Sequence, residues 1–312
     1  MKAIQVNALD GPAAVALAEV AEPSGQVIID VHYAGVTFPD LLLTRGQYQI
    51  RPDLPFVPGS EVSGIVREAP ADSGVQPGDA VAAFPGLGGF AQTVACDPRM
   101  VFALPQDYPL DKAAALPMNY LTVDFALRRR GRLAPGETVL VQGAAGGVGT
   151  AAIQMAKAMG AHVIGVVSTE SKIATATAAG ADEVALSEGF RETVGQRVDL
   201  VVDPVGGQRF TDSLRSLRPE GRLLVIGFTA GDIPTVKVNR LLLNNITVMG
   251  VGWGAFWMPQ PQYLQDQWAH LRQMLDRLDP PVGAVYDLAD AAQALTALDE
   301  RRVQGKALLK VR

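Results

Sequence analysis

The alternation of apolar and polar positions divides the chain into regions of different pattern. Residues 1–118 are strand-like and rich in turns, and residues 27–31 (VIIDV) alternate and carry β-branched side chains. Two further stretches, 62–66 and 80–84, have a similar pattern and each follows a Pro-Gly turn signal. These patterns predict an antiparallel, barrel-like β region with short helical insertions, one of which contains residues 41–43.

Near residue 119 the pattern changes to one in which buried strands alternate with helices. Residues 119–130 have a helical pattern, and from about residue 138 the order strand, glycine turn, helix, strand repeats. The predicted strands are 138–141, 162–167, 200–202, 223–226 and 246–249, and the predicted helices, 150–159 and 171–179, are each followed by glycine. Apolar strands between helices are typical of a parallel sheet covered on both faces, so we expect a doubly wound α/β domain.

The last part of the chain, residues 255–312, returns to a mixed pattern. It predicts a helix at 261–278, a strand at 282–286, a helix at 289–299 and a terminal strand at 307–311. These elements are too few for an independent domain, so we expect them to complete the first region. The predicted organisation is one domain of residues 1–118 and 255–312, with a second domain, 119–254, inserted into it.

Composition narrows the class of protein. Of the 312 residues 48% are apolar, and the net charge is −5. The only basic cluster, 128–130, precedes Gly131 and is expected to be a solvated helix end, so nucleic-acid binding is not expected. Cys96 is the only cysteine, and the three histidines lie in unrelated contexts, which disfavours a metal site. No run approaches the ~20 apolar residues of a membrane span. We therefore expect a cytoplasmic protein that does not enter a membrane.

The strongest local signal is the sequence GAAGGVG at residues 143–149, between a predicted strand and a predicted helix. This motif is a variant of the dinucleotide fingerprint, in which Gly146 lets the backbone approach a pyrophosphate and Gly149 lets the helix pack closely on the strand. The free N–H groups at the helix N-terminus favour phosphate. We therefore predict that Ala145, Gly146, Gly147, Val148 and Gly149 bind a dinucleotide.

The residues that follow the second strand of such a domain select the cofactor. An acidic side chain about 20 residues beyond the glycines would accept hydrogen bonds from a ribose 2′-OH and repel a 2′-phosphate. This chain has Ser168 there, and Lys172 follows at the start of the next helix. Both can bind a 2′-phosphate, so we predict NADPH over NADH, although Glu170 would weaken phosphate binding if it pointed inward.

Six stretches of the sequence, in a constant order, carry a family resemblance: 34–49, 54–66, 139–161, 203–207, 221–228 and 305–311. In these stretches the chain resembles the zinc-free quinone oxidoreductases, the zeta-crystallin-like branch of the medium-chain dehydrogenase/reductase superfamily. The resemblance implies a GroES-like β-barrel catalytic domain, a doubly wound Rossmann domain and a cofactor cleft between them. It also implies an NADPH-dependent quinone oxidoreductase, usually a homodimer that pairs the last Rossmann strand, here about 246–251.

Two positions distinguish this chain from the zinc-dependent relatives. By the resemblance, Thr37 stands in the place of a cysteine ligand and Ser60 in the place of a histidine ligand. Neither side chain can hold zinc as those ligands do, so no Lewis acid is expected to polarise a carbonyl group. We therefore expect hydride transfer to an acceptor that is already electrophilic, namely a quinone or an alkene conjugated to a carbonyl group.

The resemblance also implies the remaining site residues. Tyr48, in an R-G-x-Y pattern, would line the cleft and donate a hydrogen bond to a developing oxyanion, although it is also typical of a half-exposed barrel tyrosine. Thr37, where the family often has asparagine, and Thr122 complete the predicted catalytic set. Further predicted cofactor contacts are Val205, Phe228 and Lys306. One departure is Ser187, which stands where many members have a tyrosine near the 2′-phosphate.

Some alternatives stay open from the sequence alone. Trp253, Phe256, Trp257 and Met258 form an apolar group that would either line a flat aromatic-substrate cleft or contact a second subunit. A reductase of enones or enoyl thioesters would use the same hydride step, and Arg45 and Arg51, the cations nearest Tyr48, leave room for a coenzyme A handle. A third alternative is a non-catalytic protein that binds NADPH or nucleic acid.

Overall fold

The computed structural model describes residues 1–312. Its strands are β1 (Lys2–Val6), β2 (Val15–Glu19), β3 (Val27–Val36), β4 (Glu61–Glu68), β5 (Ala80–Ala83), β6 (Thr93–Cys96), β7 (Val101–Ala103), β8 (Thr138–Gln142), β9 (His162–Val167), β10 (Glu183–Leu186), β11 (Val198–Asp203), β12 (Leu217–Val225), β13 (Thr247–Gly250), β14 (Val282–Asp287) and β15 (Lys306–Lys310).

Its α-helices are α1 (Phe38–Thr44), α2 (Leu110–Ala113), α3 (Pro117–Asp124), α4 (Gly147–Ala158), α5 (Ile173–Ala178), α6 (Phe190–Val194), α7 (Arg209–Ser216), α8 (Asn239–Asn244), α9 (Trp253–Trp257), α10 (Tyr263–Arg272) and α11 (Ala291–Asp299). The residues Phe125–Arg130 continue α3 as a π-helix. Short 3₁₀ turns lie at Gly11–Ala14, Pro98–Met100, Glu170–Lys172, Leu275–Arg277 and Leu288–Asp290. No helix is long and apolar enough to cross a membrane.

The chain forms two compact units. The first unit comprises Met1–Met118, Pro261–Trp268 and Pro280–Arg312, and the second comprises Asn119–Gln260 and Ala269–Asp279. The sequence-based division placed residues 255–260 and 269–279 in the first domain, whereas their contacts assign them to the second. Long-range hydrogen bonds account for part of this difference, since His270 Nδ1 lies 2.7 Å from Asp124 Oδ1 inside the second unit.

The first unit is built on a mainly antiparallel seven-stranded sheet in the order β14-β15-β3-β4-β5-β7, with β6 paired to β3. The alternation predicted for residues 27–31 is realised in β3, where Val27, Ile29 and Val31 are fully buried. The C-terminal strand β15 pairs antiparallel with β3 and parallel with β14. The predicted antiparallel β region is therefore confirmed, and residues 41–43 lie on the short helix α1, as expected.

The second unit contains a six-stranded parallel sheet in the order β10-β9-β8-β11-β12-β13. The chain order reverses at β8 and β11, which is the strand order 3-2-1-4-5-6 of a doubly wound dinucleotide-binding domain. Every residue of β11 is buried, and so are all but the first residues of β8 and β9. This confirms the predicted doubly wound sheet, whose ligand-binding edge lies at the carboxyl ends of the strands.

Several predicted elements differ from the structure in their bounds, among them the helix predicted at 261–278, which is the shorter α10. Helix α4 begins at Gly147 rather than at residue 150, because Gly146 already caps it and the last glycines form its first turn. The predicted helix 171–179 is a 3₁₀ turn, Glu170–Lys172, followed by the shorter α5. Strand β12 begins at Leu217, well before the predicted residue 223, and its pairing with β11 shifts register at an irregularity.

Candidate functional site

The glycine-rich turn connects β8 to α4 at the carboxyl edge of the parallel sheet. Gly143 has φ +63°, a left-handed conformation that favours glycine, and its carbonyl oxygen accepts a 3.0 Å hydrogen bond from Gly146 N. Ala144 N donates to Val166 O in the neighbouring strand β9. One hydrogen bond within the turn and one to strand β9 therefore hold the turn before the helix begins.

Two glycines of this turn meet different constraints. A Cβ at Gly149 would lie 2.1 Å from Gly143 O, which is backbone and has no room to move. A Cβ at Gly146 would meet only the same oxygen, at an ordinary distance of 3.5 Å. Gly149 is thus required for close packing of the turn on the helix, whereas the space beside Gly146 is open to a ligand.

Helix α4 presents its N-terminus at this open side. Gly146 is the N-cap residue with an extended conformation, φ −88° and ψ 172°, and it offers no side-chain capping group. The N–H groups of the first helical turn have no intrahelical acceptor, and the helix dipole favours a negative charge there. The predicted residues Ala145 to Gly149 therefore form a cradle that fits a pyrophosphate.

The structure brings Ser168 and Lys172 together at the end of the second strand. Lys172 Nζ lies 3.4 Å from Ser168 Oγ, and Ser168 is exposed directly after β9 ends at Val167. Together, this hydroxyl group and this ammonium group can bind a phosphate group. Ser187 follows the neighbouring strand β10, and its N–H donates to Val167 O.

Val205 lies beside Gly143 of the glycine turn, and Phe228 lies beside Gly206. A Cβ at Gly143 would be 3.0 Å from Val205 Cγ2, and a Cβ at Gly206 would be 3.0 Å from Phe228 Cδ1. Asp203 holds the loop that contains Val205 and Gly206, because its Oδ1 accepts 2.9 Å hydrogen bonds from Val205 N and Gly206 N. Burial raises the pKa of Asp203, and these N–H groups partly oppose that shift. Asp203 was not predicted as a site residue, although an aspartate at a strand end before glycines is a local signal for such a turn.

In the first unit, Thr37 caps helix α1 together with Asp40. Asp40 Oδ2 accepts hydrogen bonds from Thr37 N, at 2.9 Å, and from Thr37 Oγ1, at 2.5 Å, while Asp40 N donates to Thr37 Oγ1. This reciprocal arrangement is a capping box. The T-x-x-D spacing of residues 37–40 is a sequence signal for a capping box, so Asp40 could have been predicted from the sequence.

Thr37 also contacts Ser60, the other position that distinguishes the chain from zinc-dependent relatives. The two hydroxyl oxygens lie 3.2 Å apart, although 23 residues separate them in sequence. Both side chains are buried, Thr37 with 4% and Ser60 with 3% of its surface exposed. The positions expected to replace two metal ligands are therefore adjacent and hydrogen-bonded to each other.

Asp40 is the titratable group of this cluster. It is fully buried, and burial raises its pKa to about 6. The hydrogen bonds from Thr37 and the positive charge of Lys306 oppose this shift, and the negative charge of Glu61 adds to it. The remaining oxygen, Oδ1, accepts a 3.2 Å hydrogen bond from Gly59 N.

Glu61 and Lys306 form a buried ion pair beside this cluster. Lys306 Nζ donates to Glu61 Oε1, and Glu61 Oε2 accepts a 2.7 Å hydrogen bond from Met118 N. The Lys306 side chain is 5% exposed and that of Glu61 is fully buried. The structure thus places the Lys306 ammonium on a carboxylate of its own unit, and its contact with a cofactor stays a prediction.

The other two predicted catalytic residues occupy different surroundings. Tyr48 is half-buried and packs against the apolar cluster of Val6, Leu43 and Phe56. Its pKa is raised by burial and by the charge of Asp40, so it keeps its proton at neutral pH. Thr122 lies on α3 in the second unit and is 8% exposed. Their catalytic roles stay predictions.

The aromatic group after β13 is mainly internal. The rings of Trp253 and Trp257 are buried, with centroids 5.7 Å apart. Phe256 packs against Phe125 at 5.0 Å and lies beneath the guanidinium group of Arg129. Of the four residues that the sequence analysis grouped as an apolar patch, only Met258 is largely exposed. The tryptophans therefore contribute to the packing of the second unit.

The basic cluster lies at the end of a helix, as expected, because Gly131 is the C-cap residue and Arg128 and Arg129 are exposed. Arg128 pairs with buried Asp124 at 3.0 Å, Arg129 stacks on Phe256, and Arg130 Nε donates to Gly250 O. The side chains are thus partly solvated, and each also has a partner within the second unit.

No group of three histidine, cysteine, aspartate or glutamate side chains lies together as a metal ion would require. Cys96 is buried in β6, and burial raises the pKa of its thiol, so it stays protonated and is a poor ligand. The cluster of Thr37, Ser60 and Asp40 supplies two hydroxyl groups and one carboxyl group.

The comparisons with known proteins agree with this geometry. Residues 23–106 match the alcohol dehydrogenase GroES-like domain family, and residues 147–276 match the zinc-binding dehydrogenase family. The two matches define a two-domain protein of the medium-chain dehydrogenase/reductase class. Within this class, the chain belongs to the zeta-crystallin-like quinone oxidoreductase family, as the relatives below show.

Three similar proteins represent the matches. The chain is 39% identical to quinone oxidoreductase-like protein 2 of Bos taurus over 298 residues, which cover 92% of this chain and 85% of that protein. A probable oxidoreductase from Mycobacterium abscessus has 44% identity and a TM-score of 0.91, with 100% and 99% of the two chains covered. The quinone oxidoreductase from Thermus thermophilus, also solved in complex with NADPH, has 35% identity and a TM-score of 0.88, with 100% of both chains covered.

The two glycine constraints predict separable effects. Gly149→Ala places a Cβ against Gly143 O and should lower the free energy of unfolding by about 1–3 kcal/mol. Gly146→Ala fits the structure and should cost less than about 1 kcal/mol, yet weaken nucleotide binding roughly tenfold because its methyl group would enter the phosphate cradle. Urea denaturation and calorimetric titration with NADPH measure the two effects. Equal losses of stability in both variants would contradict the assignment.

The buried ion pair predicts a non-additive response. Glu61→Gln leaves the Lys306 ammonium without a counter-charge and should destabilise the fold by about 3–5 kcal/mol. The double variant Glu61→Gln/Lys306→Met removes both charges and should recover most of that loss. Urea denaturation of the single and double variants completes the cycle, and a double variant less stable than Glu61→Gln would show that the pair does not interact as described.

Proposed function

We propose that the protein is an NADPH-dependent quinone oxidoreductase that transfers a hydride to quinones or other conjugated carbonyl acceptors. The observation that supports this most strongly is the phosphate cradle at Gly146, with Ser168 and Lys172 at the end of the neighbouring strand. The similarity to the Thermus thermophilus quinone oxidoreductase over the whole chain supports the same activity.

The residues of the second unit fit the cofactor in chemical terms. First-turn N–H groups of α4 would bind the pyrophosphate, and Ser168 and Lys172 would bind the 2′-phosphate of NADPH. Val205, beside Gly143 of the same turn, and Phe228, beside Gly206, would supply apolar surface for the rest of the dinucleotide. When bound, NADPH supplies the hydride, and the protein's part is to bind and orient the reactants.

The first unit supports an acceptor that needs no Lewis acid. Thr37 and Ser60 are hydroxyl residues whose oxygens bond each other, and neither side chain can hold zinc as a thiolate or an imidazole group does. A quinone or an enone spreads the added negative charge onto oxygen by conjugation. Tyr48, which keeps its proton at neutral pH, would donate a hydrogen bond to that oxygen.

One contact of Arg45 argues against the alternative of an enoyl-thioester reductase. Arg45 forms a bidentate ion pair with Asp299, at 3.1 and 2.5 Å, so its charge is already compensated within the first unit. Arg51 is exposed and remains the single nearby cation of the two that the sequence analysis considered. The quinone hypothesis is therefore preferred to an acyl-coenzyme A reductase, and the non-catalytic alternative has no structural feature of its own.

The cofactor proposal predicts a selective effect of Lys172→Ala. Loss of one charge-assisted hydrogen bond to the 2′-phosphate should raise KM for NADPH about tenfold or more and leave KM for NADH unchanged. Lys310→Ala, an exposed lysine on β15, is the matched control and should change neither value. Steady-state oxidation of both cofactors with p-benzoquinone, phenanthrenequinone and crotonyl-CoA as acceptors measures this. Activity on the thioester alone would reject the quinone hypothesis, and binding of NADPH without turnover would support the non-catalytic one.

We also propose a homodimer formed through the free edge of the parallel sheet. Strand β13 is the last strand of the order and pairs only with β12. An unpaired edge offers N–H and C=O groups to a second chain. The preceding segment is apolar and open to solvent, because Ile233, Val238, Leu242 and Leu243 are each 72–76% exposed. A second copy that pairs with β13 would place this apolar segment beside the continuous sheet and cover it.

The dimer proposal predicts that charge in the apolar segment separates the subunits. Leu242→Glu/Leu243→Glu should convert a dimer to a monomer in analytical ultracentrifugation, because the charges cannot be buried in the contact. Leu17→Glu, at a leucine 44% exposed on β2, is the control and should stay dimeric. A wild-type monomer at micromolar concentration would contradict the proposal.

The cytoplasmic location that the sequence predicts stays a prediction.

A further inference from the structure

We propose that Asp40 is an internal proton donor for the reduction, and that Thr37 and Ser60 pass its proton to the oxygen of the acceptor. This inference rests on the proposed function, since it supplies the proton that must accompany the hydride. It assigns to Asp40 and Ser60 a role that neither the family resemblance nor the cofactor chemistry gives them.

The carboxyl group of Asp40 can gain or lose a proton along one path. Its side chain is fully buried and has three donors as partners: Thr37 N, Gly59 N and Thr37 Oγ1. The two backbone N–H groups hold the carboxyl group in place but do not pass protons on at neutral pH. A proton that enters or leaves Asp40 must therefore cross the 2.5 Å contact to Thr37 Oγ1.

The path continues from Thr37 to Ser60. Thr37 Oγ1 lies 3.2 Å from Ser60 Oγ, and a hydroxyl group both donates and accepts a hydrogen bond. Asp40 has no exposed surface, whereas Thr37 and Ser60 retain 4% and 3% exposure. The three side chains thus form a short hydrogen-bonded chain that leads from the carboxyl group of Asp40 to the hydroxyl group of Ser60.

The surroundings let Asp40 hold a proton. The charged groups that face it are Lys306 and Glu61, and Tyr48 lies near enough to be affected by its charge. Lys306 is already paired with Glu61, so the ammonium does not neutralise a second buried carboxylate in full. Burial accordingly raises the pKa of Asp40 to about 6, which keeps a transferable proton available near neutral pH.

The step balances in atoms and electrons. The hydride brings both electrons to the conjugated acceptor and leaves a negative charge on its oxygen. The Ser60 O–H bond then breaks as an O–H bond forms on that oxygen, Ser60 takes the proton of Thr37, and Thr37 takes the proton of Asp40. Asp40 is left as a carboxylate, and a proton from solvent restores it along the same path after the product leaves.

The test compares pH profiles of kcat with NADPH and p-benzoquinone. The donor is protonated below its pKa, so the wild-type kcat should fall as pH rises through about 6. Asp40→Asn should lose this inflection, because it has no proton to give. Thr37→Val and Ser60→Ala should lower kcat at least about tenfold without changing KM for NADPH, and Ser60→Thr, which restores a hydroxyl group, should recover part of the rate.

Ser63→Ala is the matched control. Ser63 is a fully buried serine of β4 whose hydroxyl donates to Leu110 O and contacts neither Thr37 nor Asp40. It should keep the wild-type pH profile. Circular dichroism and urea denaturation identify any variant that fails to fold. An inflection that persists in Asp40→Asn, or a Ser60→Ala rate equal to that of Ser63→Ala, would overturn the proposal while leaving the proposed function intact.

A second measurement does not depend on turnover. The infrared carbonyl stretch of a protonated, buried carboxyl group should be present in the wild type at pH 5, vanish by pH 8, and be missing in folded Asp40→Asn. Its absence from the wild type would overturn the proposal even if no acceptor is turned over. A wild type that shows the band but oxidises NADPH with none of the acceptors would instead reject the proposed function, and with it the use of this proton.

Discussion

The contact between the hydroxyl groups of Thr37 and Ser60 is the constraint on which the chemistry of this protein depends. Their oxygens lie 3.2 Å apart in a buried cluster that also holds Asp40. Hydroxyl groups bonded to each other lack the charge and the basicity with which thiolates and imidazoles bind zinc. The acceptor must therefore provide its own electron-withdrawing character, and the nearest ionisable group, Asp40, becomes available for proton transfer.

The second unit is organised by a different constraint, the close approach of α4 to the end of β8. Gly149 has no space for a side chain against Gly143 O, whereas Gly146 faces open space at the helix N-terminus. One glycine thus fixes the turn and another leaves room for phosphate. The proposed cofactor site and the proposed acceptor site each rest on local features of one unit.

The sequence predicts the parts that local pattern determines. The strand at 162–167, the glycine turn and the parallel sheet follow from apolar runs closed by glycine, and all are found as expected. Contacts between distant segments could not be predicted in this way. Lys306 pairs with Glu61 across 245 residues, and Arg130 donates to Gly250 O across 120 residues. Asp40 is the exception, because its T-x-x-D spacing is a local signal for a capping box.

The most direct test of this account is metal analysis of the purified, active protein, combined with activity before and after exhaustive dialysis against a chelator. The expected result is far less than one equivalent of zinc or another transition metal per chain, and undiminished reduction of p-benzoquinone by NADPH after dialysis. A stoichiometric transition metal whose removal abolishes turnover would contradict it.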